Sequence, residues 1–150
     1  MVRKQTKQYY LAYGSNLNLE QMAFRCPGAT VAGPGFLEDY RLLFRGESGN
    51  THATVEKAPG YRVPVLAWKI SPSNEAALDQ YEGYPSYYRK EYVNIPIGGT
   101  DRTAMIYVMA DGQELGAPSN RYYNVILRGY ETSGFDIEIL ETALRESCEV

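Results

Sequence analysis

The chain has 150 residues, 44% hydrophobic and 22% charged, which is ordinary for a globular protein that holds its core without disulfide staples or a metal. One domain spanning 1–150 is the expectation at this length. Lys and Arg total 15 against 18 Asp and Glu, a net charge of -3, which argues against a nucleic-acid partner because such a binder carries a basic footprint. Residues 1–7 hold Arg3, Lys4 and Lys7 with no apolar run behind them. They read as a flexible tail, not a signal peptide, and no stretch approaches transmembrane length, so no membrane partner is expected. Gln8 to Tyr13 is apolar and aromatic and reads as a buried strand. Gly14-Ser15-Asn16 turns the chain. From Asn18 to Arg25, Leu19, Met22 and Ala23 fall at helical spacing, and Pro27-Gly28 ends the run. Ala29 to Gly46 is expected as two short strands around Gly33-Pro34-Gly35. Ala53–Glu56 and Val63–Ile70 are expected as two more, separated by a Pro59-Gly60 turn. Ser71 and Pro72 open a helix that runs through Glu75, Leu78 and Tyr81 and stops at Gly83. Tyr87–Ile97 and Arg102–Ala110 flank Gly98-Gly99 as an antiparallel pair. Ser119 caps a helix carrying Tyr122, Tyr123, Ile126 and Leu127, and Asp136 caps a last one with Ile137, Leu140 and Leu144 on one face. Strands early, helices inserted and two helices last make an α+β chain, not an alternating βαβ one. No internal repeat or linker divides it.

The two cysteines, Cys26 and Cys148, are far apart and in no paired motif. Two lone thiols fit a reducing cytoplasm, and a bridge between them is not expected. His52 is the single histidine. One histidine without a CxxC leaves the usual zinc site no ligand set, so no metal is expected. It also leaves no Ser-His-Asp or Cys-His arrangement unless His52 is the base. Trp68 lies on a predicted strand and reads as core. Tyrosine is the compositional outlier, with 14 against 4 phenylalanines. An apolar ring with a hydroxyl tip suits a pocket for a small polar molecule, and equally suits half-buried strands.

Three segments can carry chemistry. In Tyr13-Gly14-Ser15-Asn16-Leu17, between a strand and a short helix, Gly14 lets the backbone turn. Successive N–H groups can then converge on an anion. No GK[ST] follows, so it is not a P-loop, and the same segment fits a plain connection. In Tyr81-Glu82-Gly83-Tyr84-Pro85, Glu82 stands at the C-terminal end of a helix among tyrosines. The dipole and desolvation both push a carboxyl up there, as a general acid/base near neutrality needs. A surface glutamate at a helix end would carry the same pattern. In Pro118-Ser119-Asn120-Arg121-Tyr122, a serine-capped helix start lets Tyr122 point its hydroxyl into a pocket. Gly33-Pro34-Gly35 lacks the spaced third glycine of a nucleotide loop. Asp79, one turn before Gly83, reads as part of a solvated face.

Taken together and in order, these segments resemble the γ-glutamylcyclotransferase family. The resemblance rests on Tyr10-Leu11-Ala12-Tyr13-Gly14-Ser15-Asn16-Leu17, Met22, Arg25-Cys26-Pro27 and Tyr40-Arg41-Leu42-Leu43-Phe44. It continues through Ala53-Thr54-Val55, Leu78-Asp79-Gln80-Tyr81-Glu82-Gly83, Tyr87-Tyr88-Arg89, Tyr107-Val108-Met109 and Pro118-Ser119-Asn120-Arg121-Tyr122. It covers about Gln8 to about Gly134. It implies a small mixed β-barrel with helices packed around it, and conversion of γ-glutamyl amines or amino acids to 5-oxoproline and the free amine without metal or organic cofactor. It puts the catalytic glutamate on Glu82. It makes Tyr10, Leu11, Ala12, Tyr13, Gly14, Ser15, Asn16 and Leu17 the cradle of the glutamyl part, and matches Tyr122 to a tyrosine brought to the substrate. The Trp- and Gly-rich segment that family members often carry before the Ala-Thr-Val strand reads here Glu47-Ser48-Gly49-Asn50-Thr51-His52, which leaves the leaving amine open.

The implied reaction is an intramolecular aminolysis, in which one carboxylate can serve as base and then acid. That role falls to Glu82, with the hydroxyls of Tyr88 and Tyr122 orienting the amine or tuning the acid. The loop amides face either the oxyanion or the α-carboxylate. The partner expected is a small γ-glutamyl molecule, with the chain a monomer or homodimer. The alternative is a binding module on the same scaffold that does not catalyse.

Overall fold

The computed structural model describes residues 7–148. The tail expected over 1–7 lies outside them apart from Lys7, which is exposed. Within the described residues five strands form one sheet: β1 (Gln8–Ala12), β2 (Thr30–Glu47), β3 (Asn50–Ile70), β4 (Tyr88–Ile97) and β5 (Thr100–Met109). Their spatial order is β2-β3-β1-β5-β4. β1 sits at the centre because it is short and apolar; Leu11 and Ala12 are almost wholly covered. It pairs antiparallel with β3 and parallel with β5, which makes the sheet mixed. Among the described residues four α-helices accompany it: α1 (Leu19–Arg25), α2 (Pro72–Glu82), α3 (Asn120–Ser133) and α4 (Ile137–Cys148). None of them is long and apolar enough to cross a membrane.

The α+β class is as the chain order predicts, but three expectations need correction. The stretch from Ala29 to Gly46 is one strand of 18 residues, not two short ones. β2 is an edge strand, so Pro34 withdraws no hydrogen bond from a second neighbour and Gly33 is absorbed as a bulge. Likewise β3 runs unbroken for 21 residues through Pro59-Gly60. There the ribbon kinks instead of reversing: Asp39 takes a positive φ of 62° and its Oδ1 accepts the Gly60 N–H at 3.1 Å. The third correction concerns the barrel. The sheet curls until a Cβ placed on Gly35 would meet Ile95 Cδ1 at 3.3 Å and the Pro96 carbonyl oxygen at 3.4 Å. Yet β2 and β4 share no ladder, so the barrel stays open.

The helices dock by specific contacts. On α4, the buried Ser147 accepts the Phe44 N–H of β2 at 2.8 Å and donates to the Ala143 carbonyl at 2.7 Å. On α3, Gly129 lies so close to the chain at Leu17 that a Cβ would stand 2.6 Å from the Leu17 Cβ. No side chain fits there, and the contact presses the segment after β1 against α3. Trp68 is buried in the core, as expected. Cys26 is buried and Cys148 exposed, and both are free thiols.

Candidate active site

Local chemistry decides where Glu82 stands. Ser71 and Asn74 form a reciprocal capping box at the start of α2, with Pro72 in its first turn. At the other end Gly83 adopts φ 67°, a left-handed conformation that glycine takes at no steric cost. The Gly83 N–H then bonds the Gln80 carbonyl at 3.3 Å and the Tyr84 N–H bonds the Asp79 carbonyl at 2.9 Å. Glu82 is therefore the last helical residue, at the negative end of the dipole.

Its half-buried side chain lines a small cavity with Tyr10, Tyr13, Gly14, Ser15, Asn16, Ala53, Tyr88, Tyr107 and Tyr122. Burial pushes the Glu82 carboxyl up to about 7, and the positive charge of Arg25 pulls the other way. Desolvation wins because no hydrogen bond among the described residues satisfies the ionised form.

The segment after β1 closes one side. Ser15–Leu17 make a single 3-10 turn, in which the Leu17 N–H bonds the Gly14 carbonyl at 3.0 Å. The Leu17 amide is thus engaged, whereas those of Ser15 and Asn16, at the start of the turn, have no acceptor inside it. Gly14 backs onto β3: a Cβ there would approach the Ala53 Cβ at 3.3 Å and the Tyr122 hydroxyl at 3.6 Å. Leu11, Ala12 and Leu17, from the expected cradle, are core residues whose side chains do not line the cavity.

The tyrosines divide into two kinds. Tyr13 donates its hydroxyl proton to the Tyr107 carbonyl at 2.7 Å, and Tyr88 donates to the Ala53 carbonyl at 2.6 Å. Those two protons are committed. Tyr122 instead accepts the Ala53 N–H at 3.0 Å, and Tyr10 accepts from Asn16 Nδ2 at 2.9 Å. Tyr10 and Tyr122 therefore keep a proton to donate into the cavity. Burial, with a smaller push from the charge of Glu82, raises both phenols, so they act as neutral donors.

Arg25 and Tyr107 were given no role by the sequence. Arg25 ends α1, donates to Asn16 Oδ1 and Gln21 Oε1, and stacks its guanidinium 3.5 Å from the centre of the Tyr81 ring. It ties the turn to the residue preceding Glu82. In sequence it shows only an ordinary i,i+4 pairing with Gln21. His52 lies outside the cavity lining. Its Nδ1 is 3.1 Å from the Tyr87 hydroxyl, its ring packs edge-on to Tyr122, and burial lowers its pKa. Among the described residues no three His, Cys, Asp or Glu side chains gather as a metal site requires.

Comparison with known proteins agrees with this geometry. Residues 10–124 match the family model described as gamma-glutamyl cyclotransferase, AIG2-like. The human protein named gamma-glutamylcyclotransferase is 33% identical over 141 residues, covering 88% of this chain and 74% of its own. The bovine protein of the same name is 33% identical over 138 residues, covering 86% and 73%. A solved structure of a gamma-glutamyl cyclotransferase superposes with a TM-score of 0.82 at 29% identity, covering 96% of this chain and 89% of that one. With the match spanning every segment that lines the cavity, the chain belongs to the gamma-glutamyl cyclotransferase, AIG2-like family and is an enzyme of that class.

Proposed function

We propose that the chain releases 5-oxoproline and a free amine from a γ-glutamyl amine, dipeptide or isopeptide, with Glu82 as the proton carrier. The observation that carries this reading is the half-buried carboxylate, without a hydrogen-bond partner among the described residues and raised to about 7, beside the start of the Ser15–Leu17 turn and two phenols with a proton to donate. Glu82 takes a proton from the substrate's α-ammonium. The freed nitrogen attacks the γ-carbonyl carbon and closes a five-membered ring, forming a tetrahedral oxyanion. The bond to the leaving nitrogen then breaks as Glu82 returns its proton to that nitrogen, and the surplus proton left on the ring nitrogen passes to the departing amine, so that 5-oxoproline leaves as a neutral lactam and the amine as an ammonium. Ring closure brings the reactants together by itself, so the protein's work is proton transfer and charge stabilisation. The amides of Ser15 and Asn16, with the hydroxyls of Tyr10 and Tyr122, are the donors for the two anions, oxyanion and α-carboxylate. No step calls on a metal or an organic cofactor. Two free thiols fit the reducing cytoplasm as the place of action.

The test is detection of 5-oxoproline by mass spectrometry from a panel of γ-glutamyl dipeptides and amines. Wild type is expected to release it and Glu82→Gln to lose it, with both variants folded. Near-normal turnover by Glu82→Gln would remove Glu82 from the mechanism. Binding across the panel without turnover would favour a non-catalytic module, and glutamate as product would make the protein a hydrolase.

A further inference from the structure

Glu82 must be aimed, yet nothing among the described residues holds its carboxylate directly. What holds the end of its helix lies one turn earlier. Asp79 stands three residues before Glu82 and is only partly exposed. Its Oδ1 accepts the hydroxyl of Tyr107 on β5 at 2.6 Å, and Lys90 on β4 approaches it at 2.8 Å. Lys90 is mostly buried and also binds Glu75, two turns back along α2, at 2.6 Å. Glu75 in turn accepts from Gln8 on β1. The Asp79 carbonyl meanwhile accepts the Tyr84 N–H that closes the helix. Tyr107 is itself a wall of the cavity, and its carbonyl takes the Tyr13 hydroxyl. One carboxylate thus joins the last turn of α2 to two strands and, through Tyr107, to the start of the Gly14 turn. A solvated-face acid has no such set of partners.

We propose that Asp79 is a positioning residue: through Tyr107 and Lys90 it holds the end of α2, and with it the Glu82 carboxylate, against the cavity. The proposal rests on Glu82 being the proton carrier. It assigns Asp79 no contact with substrate. Without the tether the last turn of α2 keeps its backbone closure and the stacking of Tyr81 on Arg25 but loses its hydrogen bonds to β4 and β5, and Glu82 swings toward water.

The experiment uses protein labelled with carbon-13 at the glutamate side-chain carboxyls. The Glu82 resonance is assigned by its absence in Glu82→Gln. Wild type, Tyr107→Phe, Asp79→Asn and the double variant are titrated, and each is assayed for 5-oxoproline. Tyr107→Phe deletes one hydroxyl without changing charge, so it carries the test should Asp79→Asn fail to fold. Both single variants are expected to lower the Glu82 midpoint by about one unit or more toward the ordinary carboxylate value. Arg25, the charged neighbour acting on Glu82, is unchanged in both. Turnover is expected to fall by about 10–100-fold while KM stays within about threefold, because aim is lost and binding is not. The double variant is expected to be no worse than the poorer single one, since both cut the same tether. Folded single variants with an unmoved Glu82 midpoint overturn the proposal, as does a wild-type midpoint already in the ordinary carboxylate range. If wild type shows the raised midpoint and the variants lower it, but no substrate is turned over, the positioning role stands and the proposed reaction falls.

Discussion

Two hollows in this molecule differ in an instructive way. The larger opens beside Arg45, Glu56, Arg89, Glu91 and Asp111. Its carboxylates face guanidiniums: Glu56 pairs with Arg45, Glu91 with Arg89 at 2.7 Å, and Asp111 with Arg89 at 3.6 Å. The smaller holds Glu82, which has no such partner among the described residues. Volume does not mark the reactive place. A paired carboxylate near the surface has its charge cancelled and is worth roughly 0–1 kcal/mol to stability. A desolvated, unpaired one keeps its proton near neutrality and can hand it over.

That contrast can be broken or sharpened by substitution. The largest effect is expected from Glu82→Gln, which keeps the shape of the side chain and removes its proton transfer. Turnover measured as 5-oxoproline release should fall by about 10²–10⁴-fold. Next comes Gly129→Ala. The added Cβ would stand 2.6 Å from Leu17 Cβ and 2.9 Å from the Leu17 carbonyl carbon, so the Gly14 turn must shift. Overpacking of this kind costs about 1–3 kcal/mol by denaturant unfolding, and activity should fall further than stability alone explains. Tyr122→Phe removes both the acceptor of the Ala53 N–H and a free phenol proton. A loss of about tenfold in kcat is expected with the fold retained, and an unchanged kcat would show that Tyr122 only braces β3.

The raised Glu82 carboxyl also makes a pH prediction whose sign is definite. Its ordinary value of 4.5 becomes about 7 in the folded chain. Between those values the folded protein holds a proton that the unfolded chain has released. Stability contributed by this group therefore falls as pH rises from 4.5 to about 7. Glu82→Gln lacks that loss. Its melting temperature should match wild type at pH 4 and exceed it at pH 8, where the difference is roughly 1–3 kcal/mol. Over the same range wild-type kcat/KM should rise with pH if the ionised carboxylate is the base, as proposed. The smallest effect is expected from Arg45→Gln in the larger hollow: under about 1 kcal/mol in unfolding and turnover within about twofold of wild type. A large loss there would undo the contrast between the two hollows.

The parts of the site that were legible in sequence are those governed by neighbours along the chain. Ser71, Pro72 and Gly83 announce both ends of α2, and they put Glu82 on its last turn. Gly14-Ser15-Asn16 announces a turn after a buried strand. Less legible was whatever depends on the partner strand. Gly33-Pro34-Gly35 and Pro59-Gly60 carry strong turn chemistry, yet both run on as strand because an edge position and a kinked ribbon tolerate them. Tyr88 and Tyr122 look alike as letters, but one has committed its proton to the Ala53 carbonyl and the other accepts from the Ala53 N–H. Asp79 reads as a solvated acid until β4 and β5 bring Lys90 and Tyr107 to it.

Sequence by itself thus determined the family, the α+β order of elements, the helix ends and the place of Glu82, the proposed proton carrier, on the last turn of α2. Caps, turns and periodicity act over three or four residues, and their physics is complete within that span. Only the tertiary structure decided which tyrosine protons are free, which acid is tethered and which is left bare. Those properties depend on groups from other elements, such as Tyr107, 28 residues from Asp79, and Ala53, 69 residues from Tyr122, and on the water that their packing excludes.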